Sequence, residues 1–124
     1  MNFEDFMTRV INAFPVGTLV KNPGGGTSII VATKNFKISY QREKSTMSVK
    51  LIDLFAAYEQ FRGMQLTSSE VKLFRPAIFD SSARPAGHSC NCTILFRIFE
   101  RLQLREPITG AGVRDSPFSI KIHP

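Results

Sequence analysis

Phe36-Lys37-Ile38-Ser39-Tyr40-Gln41 alternates apolar and polar residues along its whole length, and Met47-Ser48-Val49-Lys50-Leu51 does so again after the polar turn Arg42-Glu43-Lys44-Ser45. A period of two is the mark of a strand with one face covered and one face wet, and two such runs around a short turn predict a hairpin. The covered face should carry Phe36, Ile38 and Tyr40. Upstream, Ser28-Ile29-Ile30-Val31-Ala32 is rich in β-branched residues, and Val16-Gly17-Thr18-Leu19-Val20-Lys21 precedes it across Asn22-Pro23-Gly24-Gly25-Gly26, a stretch no helix can cross. Four short strands with tight turns predict an antiparallel meander, compact enough to curl into a barrel-like sheet.

The grammar on either side is helical. Phe3, Phe6, Met7, Val10, Ile11 and Phe14 recur on one face of a helix that Asn2 caps and Pro15 ends. Leu51, Leu54, Phe55, Tyr58 and Phe61 line a second helix that Gly63 terminates. Thr67-Ser68-Ser69-Glu70 is a capping-box pattern that opens a short helix through Val71, Leu73 and Phe74, with Pro76 as its stop. Ile94, Leu95, Ile98, Phe99 and Leu102 mark a further amphipathic helix, and Pro117 to Ile122 alternates as an edge strand would. The expected architecture is therefore α+β: an N-terminal helix, a small antiparallel β-meander of about four strands, two to three helices and a C-terminal edge strand. At 124 residues, residues 1–124 are expected to form a single domain around one core.

Composition narrows the class. Hydrophobic content of 43% and charged content of 21% are those of a globular chain. The aromatic residues are 11 Phe and 2 Tyr with no Trp, which suits core packing because Phe has no polar handle. Two cysteines one residue apart cannot make a disulfide framework. Met1-Asn2-Phe3-Glu4-Asp5 is acidic where a secretory signal is basic, and no apolar run approaches the roughly 18 residues of a membrane span. A cytoplasmic protein without a membrane partner is expected.

Lys and Arg number 16 against 10 Asp and Glu, a net charge of +6. Such a balance favours nucleic acid or another anionic partner, although the excess is divided evenly between the two halves of the chain. It is densest from Lys34 to Lys50, where Lys34, Lys37, Arg42, Lys44 and Lys50 face the single acid Glu43. Basic and hydrogen-bonding side chains on one sheet face are what a phosphate backbone needs. The plain alternative is a solvated strand face whose lysines guard an edge against other chains.

Arg84-Pro85-Ala86-Gly87-His88-Ser89-Cys90-Asn91-Cys92 is the other informative stretch, because it leads into a helix N-terminus. Arg84 and His88 with the free N–H groups of that helix form a candidate anion pocket. His88, Cys90 and Cys92 are a weak metal set, short of a fourth ligand, and a Cys90 or Cys92 nucleophile with His88 as base lacks an orienting third group. The bland reading makes Pro85-Ala86-Gly87 a turn, Ser89 or Asn91 a cap and both cysteines apolar filler. The glycines at 24–26 precede a strand-like run rather than a helix, so they read as a turn and not as a phosphate loop. No cofactor motif is present, and the thin catalytic inventory points to binding rather than turnover. The runner-up is a protein-interaction or small-ligand-binding domain with incidental charge, a homodimer through a Phe-rich face; a cysteine enzyme or metal site comes last.

Overall fold

The computed structural model describes residues 1–22, 25–82, 90–110, 112 and 117–124. Helix α1 (Phe3–Ala13) begins at the expected cap: the Asn2 side chain accepts from the Asp5 amide at 2.8 Å, and Glu4 and Asp5 lie at the positive end of the helix dipole. Its apolar stripe buries Phe6 and Val10, and Phe14 follows them into the core from the C-cap.

Strands β1 (Leu19–Lys21), β2 (Thr27–Lys34), β3 (Lys37–Arg42) and β4 (Ser45–Lys50) pair in chain order as one antiparallel sheet. The sheet is open, which corrects the barrel-like expectation. Closure needs enough tilted strands to carry the ladder round to its own first edge. Here four strands, one of them three residues long, leave β1 and β4 apart. A register shift between Ile30 and Ala32 inserts one extra residue in β2, so Ala32 lies opposite Ser39 and Lys34 opposite Lys37.

Phe36 also departs from expectation. Strand β3 starts one residue later, and Asn35 and Phe36 form the two-residue turn between Lys34 and Lys37 with φ of 55° and 60°. Both values are positive, as a type I′ hairpin turn requires. The usual signal for that turn is Asn-Gly or Asp-Gly, and this chain supplies only the Asn. The ring of Phe36 is 64% exposed instead of buried beside Ile38 and Tyr40.

Helix α2 (Leu51–Phe61) follows β4 without a linker, the Leu51 amide donating to the Phe36 carbonyl at 2.9 Å. Leu51, Leu54, Phe55, Tyr58 and Phe61 are all buried, and the chain leaves the helix through Gly63 at φ 80°. Strand β5 (Gln65–Thr67) runs into α3 (Ser68–Phe74), where Thr67 and Glu70 make both arms of the capping box. Pro76 stops α3 and is also the first residue of the one-turn helix α4 (Pro76–Phe79). Helix α5 (Cys90–Arg101) comes next, and the C-terminal strand β6 (Ser119–Lys121) pairs with β5 in a separate two-stranded sheet. Among the described residues no helix is long and apolar enough to cross a membrane.

The inner sheet face, Val20, Ile30, Ile38, Tyr40 and Val49, joins α1, α2 and α5 in one buried cluster. Phe6, Phe55, Tyr58 and Phe99 interlock there, with Phe6 and Phe55 centroids 5.4 Å apart and Tyr58 and Phe99 edge-on at 6.1 Å. Of the two residues expected to cap α5, Ser89 lies outside the described residues, and Asn91 lies within the helix and is buried. Its Oδ1 accepts from the Tyr40 hydroxyl at 2.6 Å, and its Nδ2 donates to the Ile78 carbonyl at 2.8 Å. One carboxamide thus ties β3, α4 and α5 together. Tyr40→Phe leaves the Asn91 oxygen buried without its donor, so it should cost about 1–2 kcal/mol in urea unfolding with an unchanged m-value.

Candidate functional site

The pairing register sorts the basic residues of the sheet by face. Val20, Ile30, Ile38, Tyr40 and Val49 point inward, so Lys21, Lys34, Lys37 and Lys50 point outward. Lys34 is the register partner of Lys37, and Lys37 of Lys50, which sets three lysines in one row across β2, β3 and β4. No strand of this sheet contains Asp or Glu, and none of the three lysines has an ion-pair partner among the described residues. Like charges placed directly opposite one another on adjacent strands are unfavourable, so this row carries a cost within the isolated fold. Ser39 and Ser48 share a hydrogen bond of 2.7 Å in the middle of the same face, and Phe36 stands exposed in the turn beside the row.

The other basic residues expected to join this surface lie elsewhere. Lys44 is in the β3–β4 turn, at the opposite end of the hairpin from Lys37 and Lys50. Five residues of strand separate the two ends, about 17 Å. Arg42 shares that far end but faces inward. Its guanidinium donates to Cys90 Sγ at 3.3 Å and to the Gly25 carbonyl at 3.4 Å. Arg84 and His88 lie outside the described residues. The sheet therefore brings together Lys34, Lys37 and Lys50, with Lys21 at the far corner of the same face.

The two cysteines diverge, as alternate residues on a helix must. Cys90 is half-buried and faces Arg42, whereas Cys92 is buried with its Sγ 3.7 Å from the Phe79 carbonyl. Burial pushes the Cys92 thiol up to about 12, so it stays protonated and unreactive at neutral pH. Among the described residues no three His, Cys, Asp or Glu side chains gather as metal ligands would. Gly25 and Gly26 lead straight into β2, so no helix follows them to make a phosphate loop.

Two further features were not legible in the sequence. Lys72 of α3, half-buried, and Asn22, at the end of β1, line a cleft with Arg42 and the first turn of α5. Helical spacing marks Lys72 only as a surface position, and Asn22 reads as part of a turn; their convergence depends on how α3 packs beside the sheet.

No known protein family, curated protein or solved structure matches this chain.

The state of the thiols is open to direct measurement. In native protein at pH 8 a disulfide reagent should titrate one thiol per chain, Cys90, with Cys92 reacting only after unfolding. Because the folded Cys92 holds its proton to about 12 against an ordinary 9.0, its contribution to stability is complete below pH 9. It is lost as the pH rises toward 12, where the unfolded thiol ionises first. The Cys92→Ser variant should show a shallower alkaline loss of stability over that window.

Proposed function

We propose that the protein is a non-catalytic binding module whose open sheet face contacts single-stranded nucleic acid. The observation that carries this reading is the row Lys34, Lys37 and Lys50, which has no ion-pair partner among the described residues and no acid in its strands, with the exposed Phe36 ring in the adjoining turn. Lysines in a row neutralise successive phosphates, and an exposed aromatic ring offers a stacking platform to an unpaired base. Phe36 bears two costs that packing does not repay: its ring stays in water and its backbone is left-handed, worth roughly 1–2 kcal/mol for a residue with a side chain. Strain retained at an exposed aromatic position is a pointer to function.

The reading places the protein in a reducing compartment such as the cytoplasm, supported by two free cysteines. Arg42 and Lys44 belong to the far end of the hairpin and enter this interface only with a ligand long enough to cross the sheet. Self-association through a Phe-rich face has less to draw on, because ten of the 11 phenylalanines are buried or half-buried and Phe36 alone is exposed.

Titration with a fluorescent single-stranded oligonucleotide over a range of salt tests the proposal. Three phosphate contacts predict a log–log salt slope of about −2, and Lys37→Gln with Lys50→Gln should reduce its magnitude by roughly 1.4. Phe36→Gly should weaken binding by about 1–3 kcal/mol with the slope unchanged, and with no loss of stability because Gly accepts φ near 60° freely. Absence of binding at low salt refutes the reading.

A further inference from the structure

On the opposite side of the sheet, the cleft between its Arg42 end, α3 and the start of α5 is lined by donors and by no acid among the described residues. Arg42 and Lys72 supply two cations, and Ser68 and Thr93 supply hydroxyls. Neither cation has a carboxylate partner among the described residues: Arg42 donates only to a thiol and, at long range, to a carbonyl. The carboxylate that acts on Lys72, Asp80, is outside the cleft lining and accepts from the Ser82 amide at 3.0 Å and hydroxyl at 2.8 Å. Residues 90–93 form the first turn of the 12-residue α5, whose leading N–H groups have no acceptor within the helix.

Asn22 supplies the independent observation. It is only 8% exposed and lines the cleft, yet its Nδ2 has no hydrogen-bond partner among the described residues. A buried donor left unmade costs about 1–3 kcal/mol, so its retention asks for an acceptor. Asn22 Nδ2 and Arg42 Nη2 lie on the same side of Gly26, each 3.8 Å from where a β-carbon on it would be, so the two donors are no more than twice that distance apart. Gly26, at φ 81°, puts no side chain between them. Ser28 Oγ, on the residue opposite Arg42 in the ladder, is also buried without a partner among the described residues.

We infer that this cleft is an anion site for a phosphoryl group, either inorganic phosphate or the phosphate of a mononucleotide, held by Asn22, Arg42, Lys72 and the first turn of α5. Its chemistry is that of a tetrahedral dianion: one planar guanidinium, one ammonium and a neutral amide, with backbone N–H groups at a helix start. The site is separate from the lysine row and does not depend on the nucleic-acid reading.

Backbone amide chemical shifts recorded during titration with inorganic phosphate, and separately with a nucleoside 5′-monophosphate, test the inference. Saturable shifts at Asn22, Arg42, Lys72 and Thr93 with either probe support it, and the tighter probe identifies the source. Arg42→Gln and Lys72→Gln should each weaken binding at least tenfold. Asn22→Asp, which keeps the shape and replaces the donor with a like charge, should abolish it. Lys72 is half-buried on a short helix and makes no ion pair among the described residues, so Lys72→Gln should fold normally and keeps the test valid if Arg42→Gln does not fold. The inference is overturned if neither probe shifts these amides, or if binding survives Asn22→Asp and Lys72→Gln but is lost in Lys37→Gln with Lys50→Gln. The last pair should leave the cleft titration unchanged, whether or not the oligonucleotide binds the sheet.

Discussion

The Asn91 carboxamide is held from two sides, by the Tyr40 hydroxyl of β3 and by the Ile78 carbonyl of α4, and it is almost wholly buried. A polar group in that position has few alternatives, because each unmade bond would cost about 1–3 kcal/mol in the core. The bridge therefore sets the rotation of α5 against the sheet. With Asn91 turned to Tyr40, Cys90 meets Arg42, Cys92 sinks beside Phe79, and two turns later Arg97 donates to the Lys21 carbonyl at 2.8 Å. Burial keeps the Tyr40 phenol protonated well above its ordinary range, so the donor is present at neutral pH.

Once α5 is seated in this way, the helices among the described residues cover one face of the sheet. Val20, Ile30, Ile38, Tyr40 and Val49 fill the covered face, and the lysines of the strands are left on the other. With no acid in these strands, the sheet itself does not neutralise the lysine row. The bulge in β2 matters here. Were β2 regular instead of bulged between Ile30 and Ala32, Lys34 would fall on the inward parity of Ile30 and the row would lose a member.

The two surfaces described differ in kind. The sheet face is open and extended, with charge in a row and an aromatic ring at one end, features suited to a polymer. The cleft at the Arg42 end is concave and joins cations to a buried amide donor that lacks an acceptor, features suited to a single small anion. Arg42, which the sequence groups with the hairpin lysines, belongs to the second because it falls on the inward parity of β3.

Strong local signals carried most of the fold. The caps at Asn2 and Thr67, the stop at Pro76, the apolar face from Leu51 to Phe61 and the alternation in β3 and β4 each depend on neighbours within a few residues, so periodicity alone located them. Phe36 escaped because Asn35-Phe36 lacks the glycine that announces a two-residue turn, and Asn91 because a good capping residue is also a good buried carboxamide. The site divides along the same line. The sequence alone determined that the Lys34–Lys50 hairpin is basic and that the cysteines lack a ligand set. Only the tertiary structure decided which cations share a surface, since register and bulge select the face of every strand residue. It also decided that Asn22, Arg42 and Lys72, spread over fifty residues of the chain, converge on one cleft, because long-range packing leaves no trace in local spacing.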